Sequence, residues 1–216
     1  MNLAEEFALL AYRDDGSKDT DGTSLDNGLG GALLLELALA ERVDVVDKKV
    51  VVIDPSPTGD AQVDEALARI AADEQGRKPG YWVAKLAKDA RGRTLDRLVE
   101  AEVLTREESK VLRFFPRTRY PARDGVEPAE ESEARQRLLA AVSGQGPVEP
   151  RTAALCALVT ATSLDRKVFA GLDRKQVKAR LKEISAGAWA AAAVKKTIDE
   201  IQSAVVVVAV AAAAAS

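Results

Sequence analysis

The chain has 216 residues, with 31 Lys and Arg against 34 Asp and Glu, a formal net charge of −3, no histidine and one cysteine. These counts exclude a Ser-His-Asp triad, a Cys-His dyad, a His-ligated metal, an internal disulfide and any multi-cysteine zinc or iron–sulfur site. Hydrophobic residues make up 47% but aromatics only 4%, so the core must be built from Leu, Val and Ala, which favours helix packing over a β-sandwich.

In chain order, the acidic start Met1–Glu6 lacks the basic and apolar regions of a signal peptide. Leu3, Phe7 and Leu10 are spaced for a short helix over 3–12. Asp14 to Asn27 is polar and reads as a loop. Leu29 to Glu41 is almost continuously apolar and predicts a helix buried nearly all round. Val43–Val46 and Val50–Ile53 flank the polar Asp47-Lys48-Lys49 and read as a hairpin. Asp60 is placed to cap a helix whose face is Val63, Leu67 and Ile70. Tyr81 to Val103 has a helical pattern with a break or bend expected near Gly92. Lys110–Phe115 reads as a strand ended by Pro116.

Helices are predicted over 130–142, 151–162, 173–185 and from 188 onward. In the last of these, Val194, Ile198, Ile201, Val205 and Val208 form one stripe, while the Ala/Val end at 204–216 reads equally as helix or frayed tail. A helix followed by a hairpin and a proline occurs near 30–57 and again near 93–121, which suggests a repeated supersecondary unit. No stretch reaches the roughly 18 apolar residues that span a bilayer. The expected compartment is the cytoplasm, with peripheral attachment at the inner membrane face. Cys156 lies among Ala, Leu and Val and reads as a buried, inert thiol.

Gly28-Leu29-Gly30-Gly31 lacks the third glycine and the preceding strand of a dinucleotide loop, and is better explained by close backbone packing. Asp19–Thr23 hints at a calcium loop, but the twelfth position is Gly30 where a bidentate Glu is required. The paired carboxylates Glu5/Glu6, Asp64/Glu65, Glu107/Glu108 and Glu130/Glu131 read as surface charge, because adjacent helix residues face apart. No catalytic residue, metal ligand or cofactor is assigned.

Basic residues are concentrated. From Arg77 to Arg97 seven cations stand against Asp89 and Asp96. Lys88 and Arg91, three apart, converge on one phosphate-sized anion if the helix continues. Arg93 and the interface-type aromatic Trp82 complete the candidate ligand-binding set: Lys88, Arg91, Arg93 and Trp82. A second basic stretch is Arg113, Arg117, Arg119 and Arg123, interleaved with Phe114, Phe115 and Tyr120.

Leu3–Phe7, Gly28–Leu39, Pro57-Thr58-Gly59-Asp60 with Asp64–Leu67, and Leu98–Leu104 together resemble the Golgi phosphoprotein 3 family, over roughly residues 3–203. The Ala/Arg-rich composition and Phe-Pro-Arg-Thr-Arg-Tyr-Pro at 115–121 are similar to an actinobacterial member. The resemblance implies a mainly α, single-domain fold over 1–216, a helix bundle ringed by amphipathic helices with one or two short β-hairpins. It implies a non-enzymatic, peripheral membrane adaptor that binds phosphatidylinositol 4-phosphate or another anionic phospholipid headgroup or small phosphate ligand. It also implies client proteins, and self-association through a hairpin at about 105–115 whose apolar side is Val111, Leu112, Phe114 and Phe115. The helix pair of the eukaryotic headgroup pocket falls on Lys88 and Arg91; its arginine falls on Gly30 and its aromatic near Asp21, two departures. The alternative function is a winged-helix-like nucleic-acid-binding protein, disfavoured by the net acidic charge and the apolar helix before the first hairpin. No nucleic-acid partner is expected.

Overall fold

Asn2 sets the first helix. Its side chain accepts a hydrogen bond from the Glu5 N–H, and the Glu5 carboxylate accepts from the Asn2 N–H, a reciprocal cap that starts α1 (Leu3–Ala11). The computed structural model describes residues 1–111, 115–187 and 192–214. After α1 come α2 (Gly22–Leu39), the hairpin β1 (Val43–Val46) and β2 (Lys49–Val52), α3 (Ala61–Ala71) and α4 (Pro79–Glu100). A second hairpin, β3 (Glu107–Val111) and β4 (Phe115–Arg119), precedes α5 (Ala129–Val142), α6 (Pro150–Ala161), the one-turn α7 (Asp165–Val168), α8 (Arg174–Ala186) and α9 (Ala192–Ala214). The fold is mainly helical with two small antiparallel strand pairs, in agreement with the sequence. The one-turn α7 is an addition that its sequence does not announce.

The central element is α2, packed against α1, α4, α6 and α9. It begins at Gly22, inside the stretch that reads as a loop, because Asp21 caps it by accepting from the Ser24 N–H and because Leu25 and Asn27 are buried. Tertiary packing overrides the weak propensity of its polar first turns. The glycine cluster is a packing device. A Cβ on Gly28 would stand 2.5 Å from the Phe7 ring, one on Gly30 would stand 2.8 Å from the Ala87 nitrogen and closer still to the Val83 carbonyl, and one on Gly31 would strike Val205. Three neighbouring helices therefore use the missing side chains.

The repeated unit is visible at its caps. After α2, Glu41 has φ +56°, its N–H donates to the Ala38 carbonyl, and the Arg42 N–H reaches back to Leu37. After α4, Glu102 has φ +60°, its N–H donates to Val99, and the Val103 N–H reaches back to Leu98. Both helices thus end in the same left-handed motif, with Glu where Gly is usual, and both lead into a hairpin. In the first hairpin the turn is two residues, Asp47 and Lys48, both at positive φ, as the twist of a two-residue hairpin requires.

Helix α4 is continuous through Gly92. One interior glycine costs about 1 kcal/mol, less than the packing of α4 on α2 returns. Pro116 does not end a strand but lies within β4 opposite Lys110, tolerated because a two-stranded ribbon has only edge strands. Leu112 and Phe114, expected on the apolar side of this hairpin, lie outside the described residues. In α9, Ile198, Ile201 and Val205 are fully buried as the predicted stripe, and the helix continues into the Ala/Val end.

Three carboxylates expected at the surface are buried instead: Glu5, Glu6 and Glu131. Arginines distant in sequence make this possible for Glu5 and Glu6, while Glu131 is met by Arg135 one turn along α5. Arg97 bonds Glu5 and Asp60, Arg137 and Arg151 both meet Glu6, and Arg151 also bonds Glu36, whose carboxylate accepts the Leu3 N–H. A single core runs from α1 to α9 and includes Cys156, whose thiol burial pushes up to about 12.

Candidate anion-binding site

The Arg77–Arg97 segment divides by residue type. Its four arginines are engaged internally: Arg77 with Asp73, Arg91 with Asp26, Arg93 with Glu65 and Asp89, and Arg97 with Glu5 and Asp60. Its lysines, Lys78, Lys85 and Lys88, are exposed and make no ion pair among the described residues. The planar guanidinium suits bidentate struts between elements, while the ammonium is left to solvent.

At about 100° per residue, Tyr81, Lys85, Lys88 and Gly92 fall on one stripe of α4, and all four are exposed. Arg91 and Leu95 border that stripe. Trp82 and Arg93 lie on the other flank, about 100° round the helix from the stripe and away from Arg91. Trp82 is 3% exposed and its indole N–H has no hydrogen-bond partner among the described residues. Arg93 is held by Glu65 of α3 and by Asp89 one turn back on α4. The structure thus keeps Lys88 and Arg91 on neighbouring positions of one face and separates Arg93 and Trp82 from them. The aromatic exposed in place of Trp82 is Tyr81, which meets the Trp82 ring edge-on.

Beside Arg91 opens a cavity of about 560 Å³. One wall is the α1–α2 loop with Gly16, Ser17 and Lys18; the floor is Arg91, Gly92 and Leu95; the far wall is the end of β4 with Thr118, Arg119 and Tyr120. The wall is stiffened by aromatic contacts: Tyr12 meets Tyr120 edge-on at 6.3 Å, and the Arg106 guanidinium stacks 5.6 Å from the Tyr120 ring centre. Burial pushes the Tyr12 phenol up to about 12, although Arg91 pulls the other way, so the group is a neutral hydroxyl at physiological pH.

Arg91 is held from behind. Its Nε and Nη2 donate to the two Asp26 oxygens at 2.6 and 2.5 Å. Burial works against its charge, but the Asp26 bonds and field, with Tyr12, more than offset this, and the guanidinium stays protonated. Lys18 and Arg119 make no ion pair among the described residues. Lys18 Nζ and Arg91 Nη1 both come within 3.5 Å of the point where a Gly22 side chain would begin. That point is the first residue of α2, where the helix dipole adds positive potential. The opposing charges at the rim are Asp15 and the capping residue Asp21, both exposed. Two unpaired cations, one pre-oriented guanidinium and a helix start suit a phosphate-bearing anion. Among the described residues no group of three or more Asp, Glu or Cys is placed to hold a metal ion.

The profile of Golgi phosphoprotein 3 (GPP34) matches residues 3–201. The chain belongs to the Golgi phosphoprotein 3 family. Among the described residues of this family member, no helix is long and apolar enough to cross a membrane. Sequence reasoning missed Lys18, Arg119 and Tyr12 as members of the cavity. Arg119 stands out only as part of a basic stretch, and Lys18 sits in a segment read as loop. Nothing in the one-dimensional pattern joins them to Arg91, which is more than 70 positions from Lys18 along the chain.

Proposed function

We propose that this Golgi phosphoprotein 3 family member is a peripheral membrane adaptor that holds an anionic, phosphate-bearing headgroup in the cavity formed by Lys18, Arg91 and Arg119. One observation carries the reading: Lys18 and Arg119, unpaired among the described residues, line a 560 Å³ cavity together with Arg91, and Lys18 and Arg91 meet beside Gly22, the first residue of α2. Lys88, one turn before Gly92 on the same stripe, adds charge at the approach rather than in the cavity. The role is binding, with no residue proposed as catalytic. The reading favours a lipid over a nucleic acid because α2, the helix of the first helix–hairpin unit, is enclosed on all sides and is closed to a DNA groove.

Vesicle co-sedimentation tests it. Phosphatidylcholine vesicles containing phosphatidylinositol 4-phosphate or phosphatidylglycerol should bind the protein, and pure phosphatidylcholine should not. Each cation near an anionic surface contributes about 1 kcal/mol, so Lys18→Ala with Arg119→Ala should weaken binding about 30-fold, and raised salt should do the same. Competition by soluble inositol phosphates separates headgroup recognition from surface charge. Equal binding to neutral and anionic vesicles would refute the proposal.

A further inference from the structure

A second surface lies at the other end of the exposed α4 stripe. On α9, Val206, Val207 and Val210 are 44%, 66% and 64% exposed. They share one stripe of the helix, opposite the side that buries Ile198, Ile201 and Val205. A solvated helix face normally carries Lys, Glu or Ala there, and a valine ridge is costly both in hydration and in helix propensity. The match to the family ends at Ile201, before this ridge.

Val207 of this ridge also lines an open groove of about 1150 Å³, together with Ala204 and Val208. Its walls carry Lys48 and Lys49 from the β1–β2 turn, Arg77 and Lys78 before α4, and Lys196 from α9; the carboxylates lining it are Asp199 and Glu200. Five cations against two carboxylates make this region positive in a chain of net charge −3. Lys48, Lys49, Lys78 and Lys196 make no ion pair among the described residues, while Arg77 bonds Asp73 and stacks 4.9 Å from the ring centre of Tyr81, itself 41% exposed. Lysines around an exposed Tyr and an aliphatic ridge match the chemistry of a bilayer interface, with ammonium groups at phosphates and valines among upper acyl carbons.

Both patches touch the exposed stripe of α4. The stripe Tyr81–Lys85–Lys88–Gly92 begins at the groove and ends at the anion cavity, a run of about 16 Å at 1.5 Å per residue. A flat anionic surface can meet both at once.

We infer that the valine ridge of α9 and the surrounding Lys48, Lys49, Lys78 and Lys196 form a second contact, which inserts into the surface of an anionic bilayer while the Lys18–Arg91–Arg119 cavity holds a headgroup. The inference rests on the membrane reading above but uses separate residues. Labelling tests it in the full chain. Cys156 is buried with a raised thiol, so Val207→Cys provides one reactive site for an environment-sensitive fluorophore. Phosphatidylglycerol vesicles should shift the label to the blue and brighten it; phosphatidylcholine vesicles should not. Lys48→Ala with Lys49→Ala and Lys78→Ala should cost about 150-fold in vesicle affinity and abolish the shift. Lys18→Ala with Arg119→Ala should move the titration to about 30-fold higher phosphatidylglycerol and leave the size of the shift at saturating lipid unchanged.

Sedimentation with anionic vesicles and a silent label overturns the inference while the membrane proposal stands. Absence of binding to every vesicle overturns both. A blue shift that grows with protein concentration without lipid assigns the ridge to self-association, and a shift produced by a soluble acidic peptide assigns the groove to a peptide; either result overturns the bilayer assignment.

Discussion

Asp26→Asn should make the protein less stable and a better anion binder. Asp26, which is not among the residues lining the cavity, neutralises Arg91 through bonds of 2.6 and 2.5 Å. The two side chains are 28% and 32% exposed, so solvent screens much of their attraction, and loss of the charged partner should cost about 1 kcal/mol of folding stability. An anion bound on the opposite side of the guanidinium would lie roughly 6–7 Å from the Asp26 charge. With an effective dielectric of roughly 20–80, removing that repulsion is worth about 0.6–2.6 kcal/mol, an affinity gain of roughly 3-fold or more. The amide can still accept one Arg91 bond, so the guanidinium stays in place. Denaturant unfolding measures the first effect and titration with phosphatidylinositol 4-phosphate vesicles at low salt the second. Weaker anion binding, with the fold intact, would show that Arg91 is only a strut between α2 and α4.

Gly30→Ala should destabilise by about 2–3 kcal/mol, because its Cβ would meet the α4 backbone at Val83 and Ala87 and part the helices; Gly92→Ala, with nothing within 4 Å, should stabilise by about 1 kcal/mol while filling part of the cavity floor and weakening anion binding. Arg151→Met should cost about 3 kcal/mol by denaturant unfolding, because it leaves Glu36 without its arginine and Glu6 with Arg137 alone. Glu131 gives a pH signature. Burial raises its carboxyl to about 7 despite the Arg135 contact, with Glu127 and Asp14 adding to the rise. The folded state therefore binds a proton more tightly than the unfolded one, and the stabilisation present below pH 4 is lost as pH climbs through 7. Relative to Glu131→Gln, the wild type should lose about 2–3 kcal/mol between pH 5 and 8.

Much of the fold is legible in the sequence because its cues are local. Asp60 caps α3 by accepting from the Gln62 and Val63 N–H groups, as its position before Val63, Leu67 and Ile70 suggests. The β-branched runs around Asp47-Lys48 pair as a hairpin, and the 198–205 stripe is buried. The misreadings of Glu5, Glu6 and residues 22–27 share one cause: the deciding partner is remote. Glu5 and Glu6 look like surface charge until Arg97, Arg137 and Arg151 arrive from positions 92 to 145 residues away. Residues 22–27 look like loop until Leu25 meets the core. The candidate site fared similarly. The 3.6-residue period places Lys88 and Arg91 on one face but equally permits Asp26 to claim Arg91, and it puts Trp82 and Arg93 on the other side of α4 once the buried side is known.

The two helix–hairpin units explain where function can reside. Each has a long helix, a left-handed Glu at its end and a two-stranded ribbon. In the first, the helix is apolar on every side and its glycines admit α1, α4 and α9, so α2 is spent on the core. In the second, α4 buries Trp82, Val83, Leu86, Ala90 and Leu98 on one side and keeps an outer stripe of Tyr81, Lys85, Lys88 and Gly92. The ribbons follow their helices to opposite ends of that stripe: the β1–β2 turn brings Lys48 and Lys49 to the groove near Tyr81, and β4 brings Arg119 to the cavity near Gly92. One unit thus supplies the scaffold and the other the exposed helix, while both contribute a cationic ribbon to the same face. Charge gathers there because the arginines of the 77–97 segment are paired with carboxylates while Lys78, Lys85, Lys88 and the ribbon cations Lys48, Lys49 and Arg119 make no ion pair among the described residues. A net-acidic protein thereby carries cations at both ends of one exposed helix stripe, the side proposed above to meet an anionic surface.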